Sequence, residues 1–116
     1  MSLARVNING PQRMDYERFS LIDSAFSAPF VRIKSIARGA TAEELGYLAS
    51  GRNDGVVAIN QQPYDIAAGV VIAQRAGAAV LDFNGFEWNV NTKDIIAASP
   101  VIAEKMLKRL RESVVF

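Results

Sequence analysis

Short apolar segments alternate with amphipathic segments along most of the chain. The short runs, which are apolar or alternate apolar with polar residues, predict five β-strands at Arg5–Ile8, Phe30–Ile36, Gly55–Ile59, Ala78–Phe83 and Asp94–Ser99. Between them, apolar residues recur at helical spacing and predict helices over Met14–Phe26, Thr41–Gly51, Pro63–Ala76 and a final helix after Ser99 and Pro100. This alternation predicts one α/β domain over residues 1–116. Its layers should be α/β/α, around a mostly parallel sheet of about five strands.

The third predicted helix differs from the others because it is apolar nearly all round. It lies in "PYDIAAGVVIAQRAG", with Pro63 at the first helical position and Gly77 at the C-terminal cap. A helix without a polar face is covered on more than one side. We therefore expect it to lie beneath a further layer, one that this chain need not supply.

Composition narrows the chemistry that is available. The 116 residues carry a net charge of +1 and contain neither cysteine nor histidine. Thiol nucleophiles, zinc–thiolate sites and histidine-based triads are therefore excluded, and oxygen-ligated cations such as Mg²⁺ become the natural metals. No basic patch points to nucleic acid, and no apolar run is long enough to cross a bilayer. With no signal peptide in the sequence, we expect a cytoplasmic protein.

Among the carboxylates, Asp65 attracts most interest because it lies in the first turn of the apolar helix. Such an acid can simply complement the helix dipole, or it can ligate a hard cation at the carboxyl ends of the strands. Its position alone leaves both interpretations open. We expect Asp54 and Asp82 to serve turns, and Glu43 and Glu44 to form a solvated helix start. Phe86 and Trp88 should anchor their loop in the core.

Three segments resemble the inositol monophosphatase family. "PYDIAAGVVIAQRAGAAVLDFNG" is similar to that family's Trp-Asp, Ile-Ala-Ala-Gly and Glu-Ala-Gly-Gly signature, with Tyr64 in place of the tryptophan. "IARGATAEELGYLASGRNDG" resembles its upstream Arg-x-Gly-Ser-Ala-Ala stretch, and "DIIAASPVIAEKMLKRL" its closing strand and helix. The resemblance covers nearly the whole chain, but only the C-terminal half of the family. The Asp-Pro-Ile/Leu-Asp-Gly-Thr motif and the upstream glutamate, which carry most metal ligands, have no counterpart.

The resemblance implies specific residues and a specific reaction. Family members hydrolyse small phosphomonoesters with Mg²⁺, and Asp65 matches the one metal-binding aspartate of the C-terminal half. Gly39, Ala40 and Thr41 match the segment whose backbone approaches the substrate hydroxyls. Ala58 stands where inositol-specific members carry a glutamate, so other sugar or nucleotide phosphates become equally plausible substrates.

The leading hypothesis is a C-terminal half of such a phosphatase, inactive alone and partnered by the missing N-terminal half. Whether the chain itself is an enzyme stays open, and its exposed apolar surface should favour self-association. The alternative is a non-catalytic binding or assembly module. An independent enzyme is disfavoured, because no paired carboxylates lie at a spacing suited to acid–base catalysis.

Overall fold

The computed structural model describes residues 3–10, 16–26, 30–38 and 40–113. Five strands and four helices occupy this part of the chain. The strands are β1 (Leu3–Gly10), β2 (Val31–Arg38), β3 (Gly55–Ala58), β4 (Ala79–Leu81) and β5 (Ile95–Ala98). The helices are α1 (Tyr16–Ala25), α2 (Thr41–Ala49), α3 (Pro63–Arg75) and α4 (Pro100–Ser113). Every predicted element whose core falls in the described residues is present, with ends displaced by a few residues.

The five strands form one sheet in the order β2-β1-β3-β5-β4. β1 pairs in parallel with both β2 and β3, whereas β5 pairs antiparallel with β3 and with β4. Four strands therefore run in one direction and β5 runs against them. The prediction of a mostly parallel sheet is confirmed for strand direction, although only the β2-β1-β3 part has parallel pairings.

Helices cover both faces of the sheet and give the predicted α/β/α layers. On one face, side chains of α1 and α4, including Ile22, Met106 and Leu110, pack on Val6 and Ile8 of β1. On the other face, α2 and α3 pack on the central strands through a second buried cluster that contains Leu45, Val56, Ala58, Ile66, Val70, Ala73, Ile95 and Ala97. Consecutive residues of β3 and β5 are all buried, because both faces of these central strands are covered.

The closest approach between α2 and α3 is made at Gly69. A Cβ atom there would lie 3.1 Å from Leu45 Cδ1 and 3.3 Å from the Ala42 carbonyl oxygen. The missing side chain thus lets the two backbones pack closely, so that the first turns of both helices are held over the same part of the sheet.

Two sequence-based expectations about packing are wrong. Glu44, expected at a solvated helix start, is only 4% exposed, whereas Ala42 in the same turn of α2 is exposed. Phe86, expected as a loop anchor, is 71% exposed, whereas Trp88 does pack against the buried cluster beneath α3. In both cases the contact depends on a neighbouring element, which periodicity cannot show.

Candidate functional site

In this fold, a ligand site is expected at the carboxyl ends of β1 and β3. β1 is followed by α1, which packs on one face of the sheet, and the adjacent β3 is followed by α3 on the other face. Where two neighbouring parallel strands lead to helices on opposite faces, a crevice opens outside their carboxyl ends. The first turns of α2 and α3 lie at this same edge, since β2 and β3 run parallel to β1.

Asp65 lies in the first turn of α3, as predicted, and its side chain is exposed. The Asp65 backbone N–H donates to the Gln62 carbonyl at 3.1 Å. Its carboxylate makes no hydrogen bond or ion pair with any residue that the structure describes. A carboxylate held at a helix start and left without a partner by the described residues is available to a cation or to another polar group.

A short network, which the sequence did not reveal, fixes the loop that leads into α3. The Asn60 N–H donates to Asp94 Oδ1 at 2.8 Å, and the Gln61 N–H donates to the Lys93 carbonyl at 2.7 Å. Asn60 adopts a left-handed conformation with φ of 54°, which asparagine tolerates better than most residues. The loop is thus tied to the residues just before β5, and this tie determines where Asp65 emerges.

The segment predicted to approach a substrate lies at the start of α2. Gly39 lies outside the described residues, so its predicted role stays untested. Ala40 borders a cavity of about 370 Å³ between α2 and β1. Thr41 is only 3% exposed, and its Oγ1 has no hydrogen-bond partner in the described part of the chain. Ala58 is fully buried at the end of β3. Its methyl side chain offers no hydrogen-bond acceptor at this edge.

Glu44 is the polar residue here that sequence reasoning misplaced. It was expected to be solvated, but its carboxyl group is buried and accepts a hydrogen bond from Asn9 Nδ2 at 3.2 Å. Burial raises the pKa of Glu44 to about 7, the Asn9 hydrogen bond opposes that rise, and the charge of Glu43 adds to it. The other oxygen, Oε2, is buried without a partner among the described residues. Asn9, at the end of β1, is fully buried.

The described residues do not form a complete metal centre. No group of three or more Asp and Glu side chains lies close enough together in them to hold an ion. Asp65 offers one hard oxygen ligand of the kind that Mg²⁺ prefers, and divalent sites of this type need further ligands from protein or substrate. The described residues fit the role of a contributor of one ligand.

Comparison with known proteins agrees with the fold. Residues 10–115 match the model of the inositol monophosphatase family. This chain belongs to the inositol monophosphatase family. The expectation raised by the sequence motifs is confirmed, and so is the fold class.

Individual relatives show how much of a family member the chain represents. It is 38% identical to the Nus factor SuhB of Vibrio cholerae over 103 residues, which are 88% of this chain and 38% of that protein. It is 37% identical to the inositol-1-monophosphatase ImpA of Mycolicibacterium smegmatis over 75 residues, 65% of this chain and 27% of that protein. The chain thus spans well under half the length of the curated relatives that it matches.

Solved structures likewise show that the chain corresponds to less than half of a family member. The SuhB structure from Bartonella henselae superposes with a TM-score of 0.83 and 27% identity over 97% of this chain and 43% of that one. The inositol monophosphatase of Thermotoga maritima superposes with a TM-score of 0.79 and 28% sequence identity, over 95% of this chain and 41% of that one. The fold described here is therefore one part of the inositol monophosphatase fold.

Asp54 and Asp82 were both expected to serve turns. Asp54 Oδ2 accepts the Arg5 N–H of β1 at 3.2 Å, a contact between residues 49 positions apart. Asp82 Oδ1 accepts the N–H groups of Asn84 and Phe86, both at 2.9 Å, and so closes the turn after β4.

Across the described residues, no helix is both long and apolar enough to span a membrane.

Proposed function

We propose that this chain supplies the C-terminal half of a Mg²⁺-dependent phosphatase that hydrolyses small phosphomonoesters. The observation that carries the proposal is Asp65, an exposed carboxylate without a partner among the described residues, at a helix start on the edge of the sheet where a ligand site is expected. Membership of the inositol monophosphatase family supports a phosphatase-type function. In this proposal residues 1–116 form one domain, and the chain is inactive alone. A cytoplasmic location stays a prediction.

Asp65 would contribute one carboxylate oxygen to a cation whose other ligands come from outside the described residues. When bound, Mg²⁺ would stabilise negative charge on the phosphoryl and leaving-group oxygens. The contribution of the described residues is to fix the position of the Asp65 carboxylate. The hydrogen bonds of Asn60 and Gln61 hold the loop before α3, and the helix start orients Asp65 outward.

The substrate would lie against the start of α2, with Gly39, Ala40 and Thr41 as its contact segment. Ala58 is buried and provides no acceptor for a ring hydroxyl. A site without that acceptor has less reason to prefer inositol, because selectivity for a hydroxylated substrate comes from hydrogen bonds that only that substrate satisfies. We therefore propose sugar or nucleotide phosphomonoesters as substrates alongside inositol phosphate.

The exposed face of α3 supports docking of a further protein layer. Tyr64 is 82% exposed, and Val71 and Ile72 are each about half exposed. The side chains of Ile66 and Val70, on the inner face of the same helix, are buried. Exposed apolar stripes of this kind mark interaction surfaces. We propose that the missing N-terminal half, or a separate chain equivalent to it, covers this face. Without it, the chain would self-associate through the same surface.

The experiment is a phosphate-release assay with Mg²⁺ on inositol, sugar and nucleoside monophosphates. The chain is tested alone and after co-expression with the part of the Vibrio cholerae SuhB that the match leaves uncovered. We expect no turnover from the chain alone and Mg²⁺-dependent turnover from a complex. Asp65→Asn should abolish that turnover, whereas Glu104→Gln, an exposed carboxyl change on α4, should leave it unchanged.

Two results would overturn the proposal. One is a complex that forms but releases no phosphate from any of the substrates. The other is equal turnover with Asp65→Asn, which would mean that the carboxylate is not a ligand.

A second candidate is a non-catalytic assembly module, and one observation favours it. Several relatives, including the Vibrio cholerae protein, are named as Nus factors. The module would use the apolar face of α3 for a protein partner and would not need Asp65. Partner capture that survives Asp65→Asn but is lost with Ile72→Asp, together with no turnover in any complex, would favour this function over the first.

A further inference from the structure

Glu44 and Asn9 connect the two parts of the proposed site. Glu44 belongs to the first turn of α2, and its backbone N–H donates to the Ala40 carbonyl at 3.0 Å. Its side chain reaches Asn9 at the end of β1, and the Asn9 carbonyl accepts the Ile59 N–H at 2.9 Å. Ile59 begins the loop that leads to Asp65. A continuous set of hydrogen bonds therefore runs from the proposed substrate segment to the loop that carries the proposed metal ligand.

We propose that Glu44 is a positioning residue, whose buried carboxyl group couples the start of α2 to the β3–α3 loop through Asn9. The inference rests on the proposed function for its purpose, since the two coupled segments would hold the substrate and the metal ligand. The coupling itself rests only on the contacts of Glu44. It touches neither metal nor substrate, so its effect is on where the contact groups lie.

The charge on the Glu44 carboxyl group decides how strongly it binds Asn9. Asn53 Nδ2 donates to the Glu44 backbone carbonyl at 3.3 Å. Thr41 Oγ1, Asn53 Oδ1 and Glu44 Oε2 are all buried without partners among the described residues. A protonated Glu44 carries no charge into this buried environment. An ionised Glu44 accepts the Asn9 hydrogen bond as a charged, and therefore stronger, acceptor, so the two states hold Asn9 differently.

Within the part of the chain that the structure describes, the charged groups around Glu44 border one cavity. Arg5 of β1 and Arg52 of the loop after α2 border the same cavity, as does Glu43 on the same helix. All three are exposed, and Tyr47, which donates to Glu43, is the other titratable group there. Exposed charges are screened by water, so burial of Glu44 dominates its titration near neutral pH.

The test is an amide chemical-shift titration of the isotope-labelled full chain by NMR. In the wild type we expect the Thr41 amide, the Asn9 side-chain amide and the Ile59 amide to shift with a common midpoint near pH 7. Glu44→Gln should remove all three transitions. Glu43→Gln, the matched exposed carboxylate, should keep them with a slightly lower midpoint, because the Glu43 charge raises the pKa of Glu44.

Asn9→Ala distinguishes coupling from local sensing. It should leave the Thr41 transition in place and remove the one at Ile59, because the connection between the segments is broken. The proposal is overturned if Thr41 and Ile59 do not titrate together in the wild type, or if they still do so in Glu44→Gln. This titration needs neither Mg²⁺ nor substrate, so failure of the phosphatase proposal would show only in the turnover assay and failure of the coupling only here.

Discussion

Replacing Glu44 by Gln should make the protein more stable at alkaline pH and remove a pH dependence expected of the wild type. The substitution keeps an oxygen that can accept from Asn9 and replaces Oε2, which has no partner among the described residues, by an N–H₂ group. It also removes the possibility of a buried negative charge. Removal of that charge favours the folded state once the wild-type carboxyl group has ionised.

The magnitude follows from the pKa of Glu44, which rises from an ordinary 4.5 to about 7 on folding. Between these values the folded chain holds a proton that the unfolded chain has lost, so stability falls as pH rises through this window. Below it both states are protonated, and above it both are ionised and the loss is complete. At about 1.4 kcal/mol per pKa unit, the full loss is on the order of 3 kcal/mol, a large part of the stability of a small domain.

The assay is urea unfolding followed by Trp88 fluorescence at several values from about pH 5 to about pH 8, the window set by linkage. Other groups also titrate, so the informative quantity is the difference in unfolding free energy between Glu44→Gln and the wild type. We expect that difference to grow with pH, and the Glu43→Gln curve to follow the wild type. A difference that stayed constant across the range would refute the reasoning, because Glu44 would then ionise equally easily in both states.

Three further substitutions test the packing and the site. Phe26→Ala should destabilise the fold by about 3–5 kcal/mol because the ring is fully buried, whereas Phe86→Ala, at an exposed ring, should cost under about 0.5 kcal/mol in the same urea experiment. Asp94→Ala removes the acceptor of the Asn60 N–H and should cost about 1–2 kcal/mol, with Asp94→Asn recovering part of it; equal stability of both variants would contradict this role. Asp65→Asn should change the unfolding free energy by less than about 1 kcal/mol, because among the described residues the exposed carboxylate interacts only with the helix dipole; a larger loss would reveal a structural role.

Local signals in the sequence were sufficient for the elements and for the family. Pro63 at the first position of α3, Asp65 in its first turn and Gly77 after its end all act within a few residues, so the pattern predicted that helix closely. The motif around Asp65 likewise led to the inositol monophosphatase family. The apolar character of α3 also indicated a missing layer, and its exposed Val71 and Ile72 agree with that expectation.

What the sequence alone determined is the order of strands and helices, the place of Asp65 in the first turn of a helix and the absence of thiol and imidazole chemistry. Only the tertiary structure decided that β5 runs antiparallel and that Glu44 is buried while its neighbour Glu43 is exposed. The physical reason is distance along the chain. The environment of Glu44 is set by Asn9, which lies 35 residues away, and the position of Asp65 depends on Asp94, which holds Asn60 from 34 residues away. Helical spacing places two adjacent glutamates on α2, but only the packing of that helix on the sheet determines which of the two is buried.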